Sequence, residues 1–168
     1  LRPKVPLLPL RKAERSVVIK ANPQSALVSV DQRAPVAVGF EQRMSLSVGS
    51  HTFVFSVPPE NKCCDPRTIV QEIKPDDATG APQVVQATLP FRAATVMLAG
   101  GPADARMTCE MINVRDLPSG TPTKVEMSRA DRIVNCLLKG SDISSSQSDV
   151  QFTLHAGAVH QVRWPSTP

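Results

Sequence analysis

The sequence predicts an all-β protein made of two small β-sandwich units in tandem, and three observations carry that prediction. Apolar and polar residues alternate over several short segments, which is the pattern of strands with one buried face. Sixteen prolines and eight glycines among 168 residues favour many short strands joined by turns over long helices. The stretch at residues 22–57 has a weaker copy that begins near residue 101, which indicates an internal repeat.

Residues 1–15, LRPKVPLLPLRKAER, are predicted to form a Pro-rich basic linker. Pro3, Pro6 and Pro9 recur every third residue, which is the period of a polyproline II helix. A semi-rigid spacer is the favoured interpretation, and a juxtamembrane stalk lying near anionic lipid is the alternative. Because this segment shows neither strand alternation nor a helical stripe, we expect a chain starting at Arg15 to keep its stability.

Residues 16–80 are predicted to form the first unit. Its expected strands are residues 17–21, 26–31, 44–48, 52–57 and 68–73. Gly49-Ser50 predicts a turn that closes the third and fourth of these strands into a hairpin. The segment 33–39 contains Pro35 and Gly39 and is expected to be a loop or an edge segment. The polar stretch KPDDATGAP at residues 74–82 is the predicted boundary between the units.

Residues 81–168 are predicted to form the second unit. Its expected strands are residues 84–89, 94–98, 133–138 and 150–154. Gly101-Pro102 follows Asn22-Pro23 at an offset of 79 residues, and at that offset apolar and polar positions of the two copies stay in phase. The matched apolar positions are Ala26, Val28 and Val30 in the first copy and Ala105, Met107 and Cys109 in the second.

Residue patterns typical of catalysis or metal binding are missing from the sequence. His155 and His160 flank Ala-Gly-Ala-Val, which we interpret as a hairpin connection, and their spacing does not suit a metal site. His51 follows the Gly49 turn and is expected to be an ordinary strand-edge residue. Asp76-Asp77 lies in a linker, where nothing would desolvate the two carboxylates. We therefore expect no enzymatic activity, no cofactor and no metal.

The four cysteines are the most informative polar feature. Cys109 and Cys136 lie on the inward parity of their strands, and their counterparts in the first unit are Val30 and approximately Phe55. We predict a disulfide between Cys109 and Cys136, with two reduced, buried thiols as the alternative. Cys63-Cys64 lies in a loop, and either residue could pair with the other or outside the unit. An even number of cysteines fits an oxidising compartment.

Residues 22–31, NPQSALVSVD, resemble the opening of PEGA domains, NPPGA-x-V-x-V-D-G, and residues 48–54, VGSHTFV, match that family's G-x-H-x-V element. In the second unit Gly101-Pro102 fits the opening more loosely, and Thr121-Pro122 supplies the family's TP element. The resemblance implies small, immunoglobulin-like β-sandwiches, often repeated, on the outer side of bacterial membranes. It carries over no catalytic residues.

These observations together predict a non-enzymatic, extracytoplasmic module of a bacterial envelope protein, on the periplasmic or extracellular face. We expect its partner to be a protein or a cell-wall glycan. With no tyrosine and one tryptophan, the chain lacks the stacking platforms of single-stranded nucleic-acid binders. A membrane anchor upstream is possible. The alternative function is the sensory ectodomain of a membrane-spanning Ser/Thr kinase, and an all-β hydrolase or metal-binding domain is a distant third.

Overall fold

The computed structural model describes residues 13–76, 79–141 and 149–165, and its regular structure is β-strand apart from one turn of 3-10 helix at Glu110–Ile112. The predicted all-β class with two small sandwich units is confirmed. The strands of unit 1 are β1 (Glu14–Asn22), β2 (Leu27–Val30), β3 (Val36–Ala37), β4 (Gln42–Ser47), β5 (Gly49–Ser56), β6 (Arg67–Ile73) and β7 (Gln83–Thr88). The strands of unit 2 are β8 (Ala94–Ala99), β9 (Arg106–Cys109), β10 (Val114–Pro118), β11 (Thr123–Val125), β12 (Asp131–Lys139), β13 (Asp149–His155) and β14 (Val159–Arg163).

Unit 1 contains a three-stranded sheet in the order β4-β1-β7 and a four-stranded sheet in the order β3-β2-β5-β6. In the first sheet β1 is antiparallel to β4 and parallel to β7. Burial alternates along β5, where His51, Phe53 and Phe55 point inward. Val17 and Ile19 of β1 are fully buried as well. Large side chains from both sheets therefore supply the core of this unit.

Unit 2 repeats the same topology. Its sheets have the orders β11-β8-β14 and β10-β9-β12-β13, with β8 antiparallel to β11 and parallel to β14. Each strand of unit 1 thus has a counterpart at the same sheet position in unit 2. The offset of 79 residues holds at the turn before the second strand, where Ala26 and Ala105 donate their N–H groups to the carbonyls of Pro23 and Pro102 at 3.1 Å and 2.9 Å. Both alanines are fully buried.

The predicted hairpin at Gly49 is wrong. The strands on either side of this glycine exist, but β4 pairs with β1 and β5 pairs with β6 in the other sheet. The chain therefore crosses between the sheets at residues 48–49 instead of folding back within one sheet. Gly49 has a φ of 135°, which is backbone that residues with a side chain seldom adopt. Alternation is compatible with either outcome, because both strands have one buried face.

The connection between His155 and His160 is likewise not a hairpin. β13 pairs with β12, whereas β14 pairs in parallel with β8 in the other sheet. Gly157 lies at the turn, with φ of 73°. A side chain there would overlap the carbonyl of Lys62, so the turn admits only a glycine. The strand β14 was absent from the sequence-based prediction because only Val162 among its residues is buried.

Unit 1 ends at Thr88, eight residues beyond the division expected at residue 80. β7 follows the polar stretch 74–82 and pairs with β1 over six residues, from Val17 opposite Gln83 to Asn22 opposite Thr88. Val85 and Ala87 of β7 are buried. The loop Ser56–Pro66 belongs to unit 2 together with Leu89 and the residues after it. A polar linker in the sequence therefore marks a loop inside unit 1.

The predicted linker at residues 1–15 lies outside the described residues up to residue 12. Its last two residues are part of β1, and Arg15 is only 8% exposed. The Arg15 guanidinium donates to the carbonyls of Lys74, Pro75 and Ala81 at 3.3, 2.9 and 2.9 Å, and its Nε lies 3.3 Å from Asp76 Oδ1. Arg15 thus holds residues 74–76 and Ala81 next to β1. No helix within the described ranges has the length and apolar composition needed to cross a bilayer.

Candidate functional site

The structure brings Cys109 and Cys136 together at disulfide distance inside unit 2. β9 and β12 are antiparallel with Thr108 opposite Leu137, so the two cysteines face each other one residue further along. Their Cα atoms are 4.2 Å apart and their sulfurs form a disulfide. Both residues are buried. The inward parity assigned from the sequence is therefore what places the two sulfurs side by side.

Unit 1 fills the corresponding space without sulfur. The Asp31 N–H donates to the Thr52 carbonyl at 2.9 Å, which brings Phe53, and not the expected Phe55, across from Val30. Phe53 and Phe55 are both fully buried and their ring centroids lie 6.5 Å apart. Val30 and the Phe53 ring thus occupy in unit 1 the place that the disulfide occupies in unit 2.

Cys63 and Cys64 form a disulfide with each other in the loop that belongs to unit 2. Both are buried, at 7% and 2% exposure. The Cys63 carbonyl accepts the Arg92 N–H at 2.7 Å, and Cys64 forms an isolated β-bridge with Phe91. The Arg92 Nε also donates to Asp65 at 2.6 Å. This cysteine pair therefore lies where the loop is fastened to the segment that leads into β8.

His51 is held between an aspartate and a serine, in a combination that superficially matches a catalytic triad. Its Nδ1 lies 2.6 Å from Asp31 Oδ2. Its Nε2 lies 2.7 Å from the Ser47 carbonyl and 3.4 Å from the Ser47 hydroxyl. The Nε2 atom is thus closer to the backbone carbonyl of Ser47 than to its hydroxyl. The ring bridges Asp31 and the backbone of β4, which supports a structural role for the cluster.

The Thr52 N–H, which donates to Asp31 Oδ1 at 2.9 Å, is the main cause that lowers the pKa of Asp31, and the hydrogen bond from His51 lowers it further. Both bonds favour the ionised carboxylate. Asp31 follows β2 with a φ of 50°, in the left-handed region that aspartate tolerates. The carboxylate therefore ties the end of β2 to the backbone of β5. The sequence assigned His51 no partner, because Asp31 is 20 residues away.

The other two histidines lie in unit 2. His155 Nδ1 is 2.6 Å from Asp131 Oδ1, and both side chains are exposed. The His160 ring stacks on Phe152 with centroids 4.2 Å apart. Burial lowers the pKa of His160, and the charge of His155 lowers it further. Among the residues that the structure describes, no group of three or more His, Cys, Asp or Glu side chains is arranged to hold a metal ion.

The outward face of β12 in unit 2 is more apolar than a solvent-facing strand requires. Inward residues alternate with outward ones along β12, and the outward set includes Ile133 at 60% exposure and Leu137 at 38%. Between them lies Asn135, whose amide oxygen accepts from Gln151 at 2.8 Å. Met111, in the 3-10 turn after β9, is 52% exposed. These three apolar side chains belong to one side of the four-stranded sheet.

Two shallow depressions lie on this side of unit 2, and Met111 lines both. The first, of about 550 Å³, includes Glu110, Leu137 and Asp149 in its wall. The second, of about 580 Å³, includes Arg129 and Ile133. Among the described residues that line these two depressions, none is aromatic. We call the two depressions with Met111 between them the β12 groove.

The sequence contained an indication of this groove in the apolar residues at outward positions of β12. Ile133 and Leu137 have the outward parity of β12, opposite to that of Cys136, so their apolar character there was the available signal. Continued alternation would give Met111 the inward parity of Met107 and Cys109. The alternation stops, because β9 ends at Cys109 and the 3-10 turn that follows breaks the period of two and turns Met111 outward. Met107 itself is fully buried.

No protein-family model and no curated protein matches the chain. Among solved structures, the chain is similar to the Bacillus anthracis TIE protein at 10% sequence identity and a TM-score of 0.43. The similarity covers 90% of this chain and 34% of that one, so the chain spans about a third of that protein's length.

Proposed function

We propose that the chain is a non-enzymatic, extracytoplasmic β-sandwich module of a bacterial envelope protein, and that it binds a protein partner. The observation that carries the proposal is the pairing of all four cysteines, in one pair within the core of unit 2 and one in the loop of that unit. Disulfides of this kind persist in oxidising compartments such as the periplasm and the cell surface. The resemblance of residues 22–31 to PEGA domains supports the same location.

The arrangement of polar side chains supports a binding role over a catalytic one. The cluster of Asp31, His51 and Ser47 directs the histidine at a backbone carbonyl, and the pair of Asp131 and His155 is exposed to solvent. General acid–base and nucleophilic chemistry both depend on a base that is free to accept a proton. In the first cluster the Ser47 carbonyl lies 2.7 Å from the ring and the hydroxyl 3.4 Å, and the pair of Asp131 and His155 includes no hydroxyl or thiol.

A protein partner is favoured over the cell-wall glycan by the composition of the β12 groove. Methionine and arginine are enriched at protein interfaces, and Met111 and Arg129 both line this groove. Sugar rings stack their C–H faces on aromatic side chains, and the groove's two linings contain none. The depressions offer apolar contact and charge instead, which suits a polypeptide.

The location is tested on the parent protein in the cells that make it. Cells are quenched in acid, and free thiols are labelled with a mass-shifting maleimide before and after reduction. We expect a shift only after reduction, and digestion by protease added to intact spheroplasts. A full shift without reduction, combined with protection from the protease, would place the chain in the cytoplasm and overturn the proposed location.

The partner class is tested by two parallel measurements. Chemical cross-linking in intact cells is expected to join the chain to another protein, identified by mass spectrometry. Isolated peptidoglycan sacculi are expected to leave the purified chain in the supernatant on centrifugation. Saturable cosedimentation with sacculi, without a cross-linked protein, would reverse the choice in favour of the glycan.

A further inference from the structure

We propose that the β12 groove binds an extended peptide segment of a partner protein, with apolar side chains facing the groove, a basic residue at one end and an acidic residue at the other. This proposal rests on the protein-binding function proposed above and identifies its site. Ile133, Met111 and Leu137 supply the apolar contacts. The two ends of the groove supply the charges.

The apolar contacts are spaced for a short extended segment. Ile133 and Leu137 lie four residues apart on β12, which corresponds to about 13 Å along a strand. A segment of about five residues in extended conformation covers that distance. Its side chains alternate, so those of one parity face Ile133, Met111 and Leu137. The side chains of the other parity face solvent, so the groove does not select the residue types at those positions.

The charges at the two ends of the groove are of opposite sign. Among the described residues that line the depression beside Leu137, the charged ones are Glu110 and Asp149, whereas Arg115 and Lys139 line an adjoining depression that Glu110 also borders. The depression beside Ile133 is lined by Arg129, Arg132 and Asp131, and Asp131 already pairs with His155 at 2.6 Å. A segment with a basic residue near Leu137 and an acidic residue near Ile133 is therefore complementary to the groove.

The shape of the groove favours a peptide over a second copy of this chain. Two copies related by a two-fold axis would bring the same surface together, and a depression cannot be filled by an identical depression. A single extended segment is convex and narrow, so it fills the space above β12. The Arg132 guanidinium donates to the Met111 carbonyl, which fixes the turn that carries Met111 and keeps one wall of the groove in place.

The test is a selection of random heptapeptides displayed on phage against the immobilised protein. The enriched sequences are synthesised with a fluorescein label, and their affinity is measured by fluorescence anisotropy. We expect consensus sequences with two apolar residues at alternate positions between opposite charges. The double variant Ile133→Ser and Leu137→Ser is expected to weaken their binding at least tenfold. Glu110→Gln with Asp149→Asn is expected to weaken it severalfold, and less at high salt, because added salt already screens this attraction.

Val70→Ser is the matched control, because Val70 is an outward residue of β6 in unit 1 with 67% exposure. We expect less than a twofold effect on affinity from this variant. Circular dichroism and melting temperature establish that each variant is folded. If the double variant Ile133→Ser and Leu137→Ser does not fold, the double variant Glu110→Gln and Asp149→Asn tests the same groove without changing its apolar residues.

Three outcomes would overturn the proposal. Peptides that bind wild type and the double variant equally would show that their binding site is not the β12 groove. The proposed protein-binding function would still stand. A wild-type dimer in sedimentation analysis, dissociated by the double variant, would make the groove a contact between copies of the chain. Failure to enrich any peptide would exclude the groove as a peptide-binding site. If cross-linking in cells also finds no protein, the proposed protein-binding function fails as well.

Discussion

Single residues determine how each unit closes its core. Cys109 and Cys136 close a loop across a sequence separation of 27 residues, at a place where unit 1 has aromatic rings. In the chain-entropy description, such a cross-link stabilises the fold by about 3 kcal/mol by restricting the unfolded chain. The smaller side chains of unit 2 are thereby compensated by a covalent bond.

We expect the double variant Cys109→Ala and Cys136→Ala to lower the free energy of unfolding by about 3 kcal/mol, as measured by urea denaturation without reductant. Non-reducing peptide mapping of the wild type should yield one linked peptide that contains both cysteines. A double variant at Cys63 and Cys64 is the control for loss of a disulfide elsewhere in the chain. A Cys109 peptide that is recovered free, or linked to Cys63, would contradict the pairing.

The pair of Asp31 and His51 contributes to stability in a way that depends on pH. Because the pKa of Asp31 is lower in the folded chain than its ordinary value, the folded state favours the carboxylate. The resulting stability is present above the unfolded pKa of this group and is lost as the pH falls through the folded pKa. Unit 2 has Glu110 and not aspartate at the equivalent position, and it lacks this cluster.

We expect Asp31→Asn to lower stability at pH 7 by about 1 kcal/mol, since it removes a charged acceptor from a partly exposed site. The difference between variant and wild type should shrink as the pH is lowered below about 4. Urea denaturation at a series of pH values measures it, with Glu126→Gln as a control at an exposed carboxylate. A difference that stays constant down to acid pH would show that the carboxylate's charge is not involved.

At the scale of elements, β1 is the central strand of its sheet and also carries the anchor for the polar stretch 74–82. Arg15 reaches the carbonyls of Lys74, Pro75 and Ala81, so it joins both ends of that stretch to β1. The expectation that a chain starting at Arg15 keeps its stability therefore depends on the Arg15 side chain that such a chain retains.

We expect Arg15→Ala to destabilise unit 1 by about 2 kcal/mol, because each carbonyl loses a hydrogen bond from a charged donor. Arg15→Lys should recover only part of this, since an ammonium does not have the fork of a guanidinium. Thermal denaturation measures the loss, and faster amide exchange in residues 79–82 should accompany it. A chain starting at Arg15 is expected to melt within a few degrees of the full chain. Equal stability of wild type and Arg15→Ala would contradict the role given to the guanidinium.

The whole molecule is organised by two closed topological repeats, and β7 determines where the first one ends. Without β7 one side of β1 loses its parallel neighbour, and the buried Val85 and Ala87 are removed from the core. The division of the chain after Thr88 thus follows from sheet completion, whereas polarity along the sequence suggested an earlier one.

We expect a chain that ends at Thr88 to show a cooperative thermal transition, and a chain that ends at Gly80 to lose it. The physical reason is the loss of the buried β7 side chains and of six residues of ladder pairing. Near-ultraviolet and far-ultraviolet circular dichroism follow both transitions. The same transition in both chains would show that unit 1 ends at residue 80.

The sequence by itself determined the local properties of this protein. Alternation identified most strands and their buried faces, and the phase shared by Val30 and Cys109 indicated the internal repeat. The inward parity of Cys109 and Cys136 was available for the same reason, because the period of a strand fixes which side chains share a face.

Only the tertiary structure decided which strands are neighbours. β4 and β5 follow each other in the sequence yet lie in different sheets. β7 comes after a polar stretch and still pairs with β1 in the first sheet. Pairing of this kind joins distant segments, and a strand with one buried face shows the same alternation in either sheet. The outward turn of Met111 and the contact of His51 with Asp31 depend on that pairing, so neither could be predicted from the residues alone.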